Sequence, residues 1–462
     1  MNTKKMITLA AFVASVAIPL AAFADTAVWK SNAGGDITEP TNWEGDAVPA
    51  AGDALDFSAI TSAQTLTGRF EDDRVFAYAT FGTGVVTLAG DLHFTTLTNA
   101  QKLAVASTAN LSIDGDIAAF QYTYNQYAYM TFLHSNEGNV VVGGVAVGGA
   151  DQNKCGNYGH VRQYETRTSA SKPIKAKGLN CLIAYGTSPL FYLARSAEEG
   201  EWVVGSGGLA ISNDQNNDRV NYRVEGSATL RATANWTLGK GAKNAVNKDL
   251  YVTGNGALTI DTTDYNDGTT PRTVTLSGRL VADKVKSEAA VTIAGNGTNV
   301  VATSVSYGSN RSTKIENAIA VTDTATLQIN AGASYIISNV VVSSGATLHI
   351  PSTTVNSSAT TVIESVALAS DATLSLPSSS ASALAARTVP MVLPSDGKAQ
   401  LRIDGPALDK GTYTVLSPVP SGYREHLSVV GTALGKRHAR LSDNGASLQL
   451  IVEQKGLMIL VR

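Results

Sequence analysis

The sequence predicts an all-β protein, a right-handed parallel β-helix (solenoid) with a β-rich C-terminal cap. Three observations carry that expectation. The first is a five-residue phrase that keeps returning. It reads Ala-Thr-Leu-Arg-Ala at 228–232, Gly-Ala-Leu-Thr-Ile at 256–260, Ala-Ala-Val-Thr-Ile at 289–293, Ala-Thr-Leu-Gln-Ile at 325–329, Ala-Thr-Leu-His-Ile at 346–350 and Ala-Thr-Leu-Ser-Leu at 372–376. Apolar and polar positions alternate with period two, the mark of a strand with one dry face. One such strand cannot bury that face alone, whereas a stack of them can. The second observation is composition. Charged residues make up 16% of the 462-residue chain, against about 25% in ordinary globular proteins. Strand formers mixed with Gly, Ser and Asn give short strands joined by turns. The third is that the phrase stays constant while its spacing does not: with the fainter copy Gly-Gly-Leu-Ala-Ile at 207–211, the central residues are Leu209, Leu230, Leu258, Val291, Leu327, Leu348 and Leu374. A β-helix accepts insertions at the corners between its faces, so variable gaps fit it. A series of antiparallel β-sandwiches would also alternate, but nothing in that architecture asks one phrase to recur.

The elements follow in chain order. Lys4 and Lys5, an apolar run from Met6 to Phe23 and the end Ala22-Phe23-Ala24 form a secretory signal peptide over residues 1–24. Pro19 and the short core argue against a transmembrane anchor. No later apolar run approaches the roughly 20 residues a membrane-spanning helix needs, so the mature chain is expected to carry none. Residues 25–60 form an N-terminal cap around Trp29, Trp43 and Phe57. Residues 61–385 form the β-helix, with an irregular lobe at about 121–200. Corners are marked by Gly254-Asn255-Gly256, Gly295-Asn296-Gly297, Ser343-Ser344-Gly345 and Asp371, residue types that accept or support tight turns. Residues 386–462 form the C-terminal β cap. In it, Gly411 to Leu416 reads as a strand, and Ser447 to Val452 with Gly456 to Val461 reads as a closing hairpin. Caps are needed because a bare terminal coil is an edge that recruits other chains. The two cysteines are Cys155 and Cys181. Export favours one disulfide between them; two buried free thiols are the other reading.

The opening segment carries Trp29, Asn42-Trp43, Val48-Pro49, Gly52-Asp53 and Phe57, and later strands read Gly345 to Leu348 and Gly411 to Leu416. This pattern resembles proteins with autotransporter-associated β-strand repeats, whose passengers begin with a Trp-containing strand, then Asn-Trp, Val-Pro, Gly-Asp and an apolar-acidic-Phe strand. The resemblance implies an exported, passenger-like β-helix at the cell surface, extracellular or associated with the outer membrane. Autotransporters end in a translocator β-barrel of alternating strands. The chain that follows the repeats here, ending Gly456 to Arg462, is expected to hold no such barrel, so the likeness is to a passenger alone.

Enzymes on this scaffold need clustered carboxylates on one face, as an acid/base pair or as calcium ligands. The best such cluster is Asp261, Asp264 and Asp267 followed by Gly268. It lacks the ligand pattern of a calcium loop and reads as a solvated turn. His134, Cys155, His160 and Cys181 offer two His and two Cys, but in no zinc-binding spacing. No Gly-x-Ser-x-Gly phrase sits at a strand–helix turn, and Gly205 to Gly208 reads as a corner rather than a phosphate loop. No catalytic residue, metal or cofactor is therefore expected. The tyrosines remain: Tyr122, Tyr124, Tyr127 and Tyr129. Aromatic faces stack on sugars and anchor protein interfaces, so these four are the candidate ligand-binding residues for a surface glycan or protein. Aromatic packing of a looped-out lobe is the competing reading.

The formal net charge of −3 gives no general attraction for nucleic acid. These features predict an exported structural or adhesin-like surface protein that presents a Tyr-rich region, and no enzyme. A carbohydrate-binding protein or polysaccharide-degrading enzyme on the same scaffold is the rival expectation.

Overall fold

The computed structural model describes residues 25–454 except 73, 85, 91, 95–96, 99–102, 106–110, 120–126, 134–139, 148–157, 165–173, 184–189, 195–198, 214–220, 241–248, 277–278, 283–289, 302–312, 331–334 and 352–361. The expected signal peptide lies outside the described residues. The chain is nearly all β, and its parallel strands stack as a solenoid. Three ladders of strands run up the stack. The first passes from Glu199–Asn213 through Ser227–Ala232, Ala257–Asp264, Ala290–Ala294, Thr313–Val321, Tyr335–Val342 and Val366–Leu368 to Met391–Val392. The solenoid makes about 8 turns. The second ladder carries Trp236–Lys240, Thr273–Leu276, Thr298–Val301, Thr326–Ile329, Thr347–His349, Thr373–Pro377, Ala399–Asp404 and Leu427–Val430. The third includes Tyr127–Leu133, Tyr158–Tyr164, Leu190–Ala194, Asn221–Val224 and Asp249–Val252. Strands between 127 and 194 thus pair in the same parallel fashion as the rest.

The alternation seen in the sequence becomes inside and outside. Leu327, Leu348, Leu374 and Leu401 follow one another in register and are buried. On the opposite side of these strands and of the preceding rung run Thr298, Thr326, Thr347 and Thr373, the first three half-buried and Thr373 covered. Each inward Leu, Ile or Val contributes roughly 1.5–3 kcal/mol by leaving water. The recurring phrase does not stay on one ladder. Leu230 and Val291 belong to the first, Leu327 and Leu348 to the second. Moving to the next face explains the widest gap in its spacing.

Corners are four-residue turns. The Ala325 N–H donates to the Thr322 carbonyl at 3.1 Å and the Ala372 N–H to that of Ala369 at 3.2 Å. Asp323 and Asp371 hold φ of 55° and 61°, a left-handed conformation that Asp tolerates better than most residues. Gly208, in the Gly205 to Gly208 stretch, marks another bend: its φ is 65°, and a Cβ there would stand 2.3 Å from the Thr237 carbonyl oxygen. That stretch lies within a strand, as a corner between the first and second ladders.

The N-terminal end is plugged by aromatic side chains. Trp29 and Trp43 meet edge to face at 5.1 Å, and Phe57 packs 5.6 Å from Trp43. Both indole N–H groups are satisfied at 2.9 Å, by the Ala33 and Ile37 carbonyls. The C-terminal end reverses strand direction: Gly411–Ser417, Leu448–Glu453 and His438–Asp443 form an antiparallel sheet. The hairpin partner of the Leu448 strand is therefore His438–Asp443. The expected partner, Gly456 to Val461, lies outside the described residues.

One inward position carries a polar side chain with no partner. Asn299 sits between Val274 and Leu327 in the second ladder, fully buried, and neither amide atom has a hydrogen-bond partner. Such a group costs about 1–3 kcal/mol. Asn299→Leu is expected to raise the urea denaturation midpoint by a corresponding amount. Leu348→Ala is expected to lower stability by about 2–5 kcal/mol, the range for truncating a buried Leu. An Asn299→Leu chain no more stable than the wild type would show that the amide is not the weak point.

Candidate functional site

Outward positions of the first ladder build a polar concavity. Arg231 stands opposite Val203 on one side and Asp261 on the other. Glu201, two residues before Val203, shares the same outward parity. Arg231 therefore reaches both acids: its Nε donates to Glu201, and its Nη1 donates to Asp261 Oδ2 at 2.9 Å. Glu201 is only 5% exposed, so the ion pair offsets a real desolvation cost. A groove of about 590 Å³ opens beside them, lined among others by Glu201, Arg231, Asp261, Tyr265, Asn296 and Asp323.

The floor of this groove is an excursion that follows strand Ala257–Asp264. The inward positions of that strand end in polar residues, Thr262 and Asp264, both buried. Thr262 Oγ1 donates to the Ala294 carbonyl at 2.8 Å and accepts the Gly297 N–H at 2.9 Å. Asp264 accepts the Asn266 N–H at 2.7 Å and Arg272 Nε–H at 2.6 Å. Asp267 accepts the N–H groups of Thr269 and Thr270, both at 2.8 Å. The Thr270 hydroxyl, foremost among these donors, holds its carboxyl well below the usual range. The acids singled out from sequence are thus brought together, and they serve the turn: Asp261 and Asp264 hold arginines, and Asp267 closes the loop. Among the described residues, no group of three His, Cys, Asp or Glu is arranged to hold a metal ion.

Sequence reasoning found Asp261 but missed Glu201 and Arg231. Their signal was present. Glu201, Arg231 and Asp261 recur at one coil length on outward positions, a regularity that shows only once the coil length is known.

The tyrosine candidates fall elsewhere. Tyr122 and Tyr124 lie outside the described residues. Tyr127 and Tyr129 belong to strand Tyr127–Leu133, in register with Tyr158 and His160 on the next strand. Cys155 and His134 lie outside the described residues. Cys181 pairs in register with Ile211 on strand Glu199–Asn213, while His160 belongs to the third ladder. Among the described residues no helix is long and apolar enough to cross a membrane.

No protein-family model matches the chain, and no curated protein matches it.

Arg231→Met tests the reading of the groove. It removes the Arg231 guanidinium from buried Glu201. The expected loss is about 2 kcal/mol, below the 3–5 kcal/mol of a fully buried pair because the Arg231 side chain is 32% exposed. The loss is expected to shrink in Glu201→Gln/Arg231→Met, a comparison read by denaturation of all four chains.

Proposed function

We propose that this chain is an exported structural or adhesin-like surface protein, a passenger-type β-helix rod of the autotransporter-associated repeat kind. The observation that carries the reading is the parallel ladder itself, regular over about 8 turns, with a dry interior and a Thr-rich exterior. Such a stack resists unfolding and proteolysis because each coil is hydrogen-bonded to its neighbours along its length. The opening residues Trp29, Trp43 and Phe57 close one end, in keeping with the resemblance. Secretion through residues 1–24, residence at the cell surface and the absence of catalysis belong to the same proposal.

The recognition element of the rod is the Tyr-rich region. Its support is the register, which lays Tyr127 beside Tyr158 and Tyr129 beside His160, on strands about 4.8 Å apart. Two aromatic-bearing rungs suit a sugar ring or an aromatic anchor of a partner protein. The carbohydrate reading has a second foothold in the groove beside Arg231, which is lined by carboxylates and a guanidinium. Because its acids hold arginines, we read that groove as binding rather than hydrolytic. The Cys155–Cys181 disulfide is part of this proposal, as a staple on an exported chain.

Because rungs between 127 and 194 belong to the ladder, the test uses substitutions and keeps every coil. The secreted chain and a Tyr127→Ala/Tyr129→Ala/Tyr158→Ala chain are compared on a glycan array. Binding that falls at least tenfold in the variant is the expected outcome. Binding retained by that variant would remove the Tyr-rich region as the recognition element. Non-reducing peptide mapping is expected to yield Cys155 and Cys181 in one linked fragment.

A further inference from the structure

The junction between solenoid and cap holds a buried charge of unusual kind. Arg387 is 1% exposed. Its guanidinium donates to three backbone carbonyls: Ile350 at 3.2 Å, Pro351 at 2.9 Å and Ala385 at 2.5 Å. Among the described residues no carboxylate pairs with it. Its backbone belongs to the cap side, because Arg387–Thr388 pairs with Gly411–Ser417. Its side chain reaches back to the solenoid, to the two carbonyls that follow strand Thr347–His349. The residue is thus a clasp between two parts of the fold. Carbonyl dipoles satisfy its hydrogen bonds without neutralising its charge, so any second positive charge nearby acts at full strength in a poorly hydrated setting.

His349 is placed to supply that charge. It immediately precedes Ile350 and pairs in register with Ser375, whose Oγ lies 3.0 Å from its Nδ1. The groups around it come from each neighbouring strand. Gln328 is its neutral partner on one side; Ser375 is its partner on the other. Strand Ala399–Asp404 brings Arg402, in register with Ser375, and Asp404. Arg387 completes the set. Among the described residues Asp404 is the acid that acts on it, and its Oδ1 accepts the Thr432 N–H and hydroxyl at 2.8 and 3.1 Å.

We propose that His349 and Arg387 form an acid-sensitive latch that holds the C-terminal cap on the solenoid when His349 is neutral and loosens it when His349 is protonated. Protonation would set a second cation beside the buried Arg387, with Asp404 the carboxylate that opposes it; Arg402, two rungs from His349, is exposed. Burial, with the Arg387 charge adding to it, pushes the His349 imidazole below its ordinary value of 6.5; the Ser375 contact and Asp404 oppose this. The sign follows. A histidine whose folded value is lowered stabilises the closed state in full above the unfolded value. That contribution fades as pH falls from about 6.5 toward the folded value.

Hydrogen exchange on the intact chain tests the latch, at pH 7.5 and pH 5.0, with rates corrected for the intrinsic pH dependence of exchange. In the wild type, amides of the cap strands Gly411–Ser417 and Leu448–Glu453 are expected to open about 3- to 10-fold more at pH 5.0. Amides of Thr326–Ile329, in the solenoid, are expected to hold constant. His349→Gln keeps a polar group toward Ser375 but cannot charge, so its cap should show no acid opening. Arg387→Met should open the cap at both pH values with little difference between them. Acid opening that persists in His349→Gln, or an equal change in cap and solenoid, or none in the wild type, would overturn the proposal.

Discussion

Every feature described above depends on one constraint: each coil must hydrogen-bond its backbone to the coils on either side while turning the same residues inward. Parallel register links the two demands. Once Leu348 lies on Leu327 and under Leu374, the neighbouring Thr residues have nowhere to go but out. A slip of one residue would turn the whole apolar set into water, whereas a slip of two keeps it inside. The phrase at 228–232 uses that freedom, with Ala228 rather than Leu230 lying beside Leu258.

The same constraint decides where polar chemistry can gather. The interior admits almost none, and Asn299 stands out there because both of its amide atoms lack partners. Charged residues collect on outward positions of the ladder and where the chain leaves it. Arg231 joins Glu201 and Asp261 across three coils, Arg272 holds Asp264 within the excursion, and Arg387 ties the cap to Ile350 and Pro351. In each case a guanidinium fork spans groups that the strand ladder alone leaves apart, a task suited to its fixed, planar donors.

Much of the fold was legible because a strand phrase with a dry face leaves a local trace. The buried Leu230, Leu258, Val291, Leu327, Leu348 and Leu374 were readable one strand at a time, as were the Trp29 and Trp43 plug and the left-handed corner at Asp371. What was not legible is lateral. The phrase shows parity but not which face of the stack a strand joins, so Val291 and Leu327 looked like neighbours and belong to different ladders. The Arg231 groove was hidden for the same reason, since residues a full coil apart meet only through register. The pairing of Leu448–Glu453 with His438–Asp443 was hidden too, because the charged His438–Asp443 strand carries no apolar run to mark it.

The reversal of strand direction at the C-terminal sheet bears on how long such a molecule can grow. Parallel rungs are interchangeable: a coil copied or lost leaves its neighbours with equivalent partners, so the stack itself sets no length. A sheet of opposed strands offers the next rung a mismatched pattern of donors and acceptors, and so acts as a terminator. Duplication of coils can lengthen the body while the end piece stays as it is.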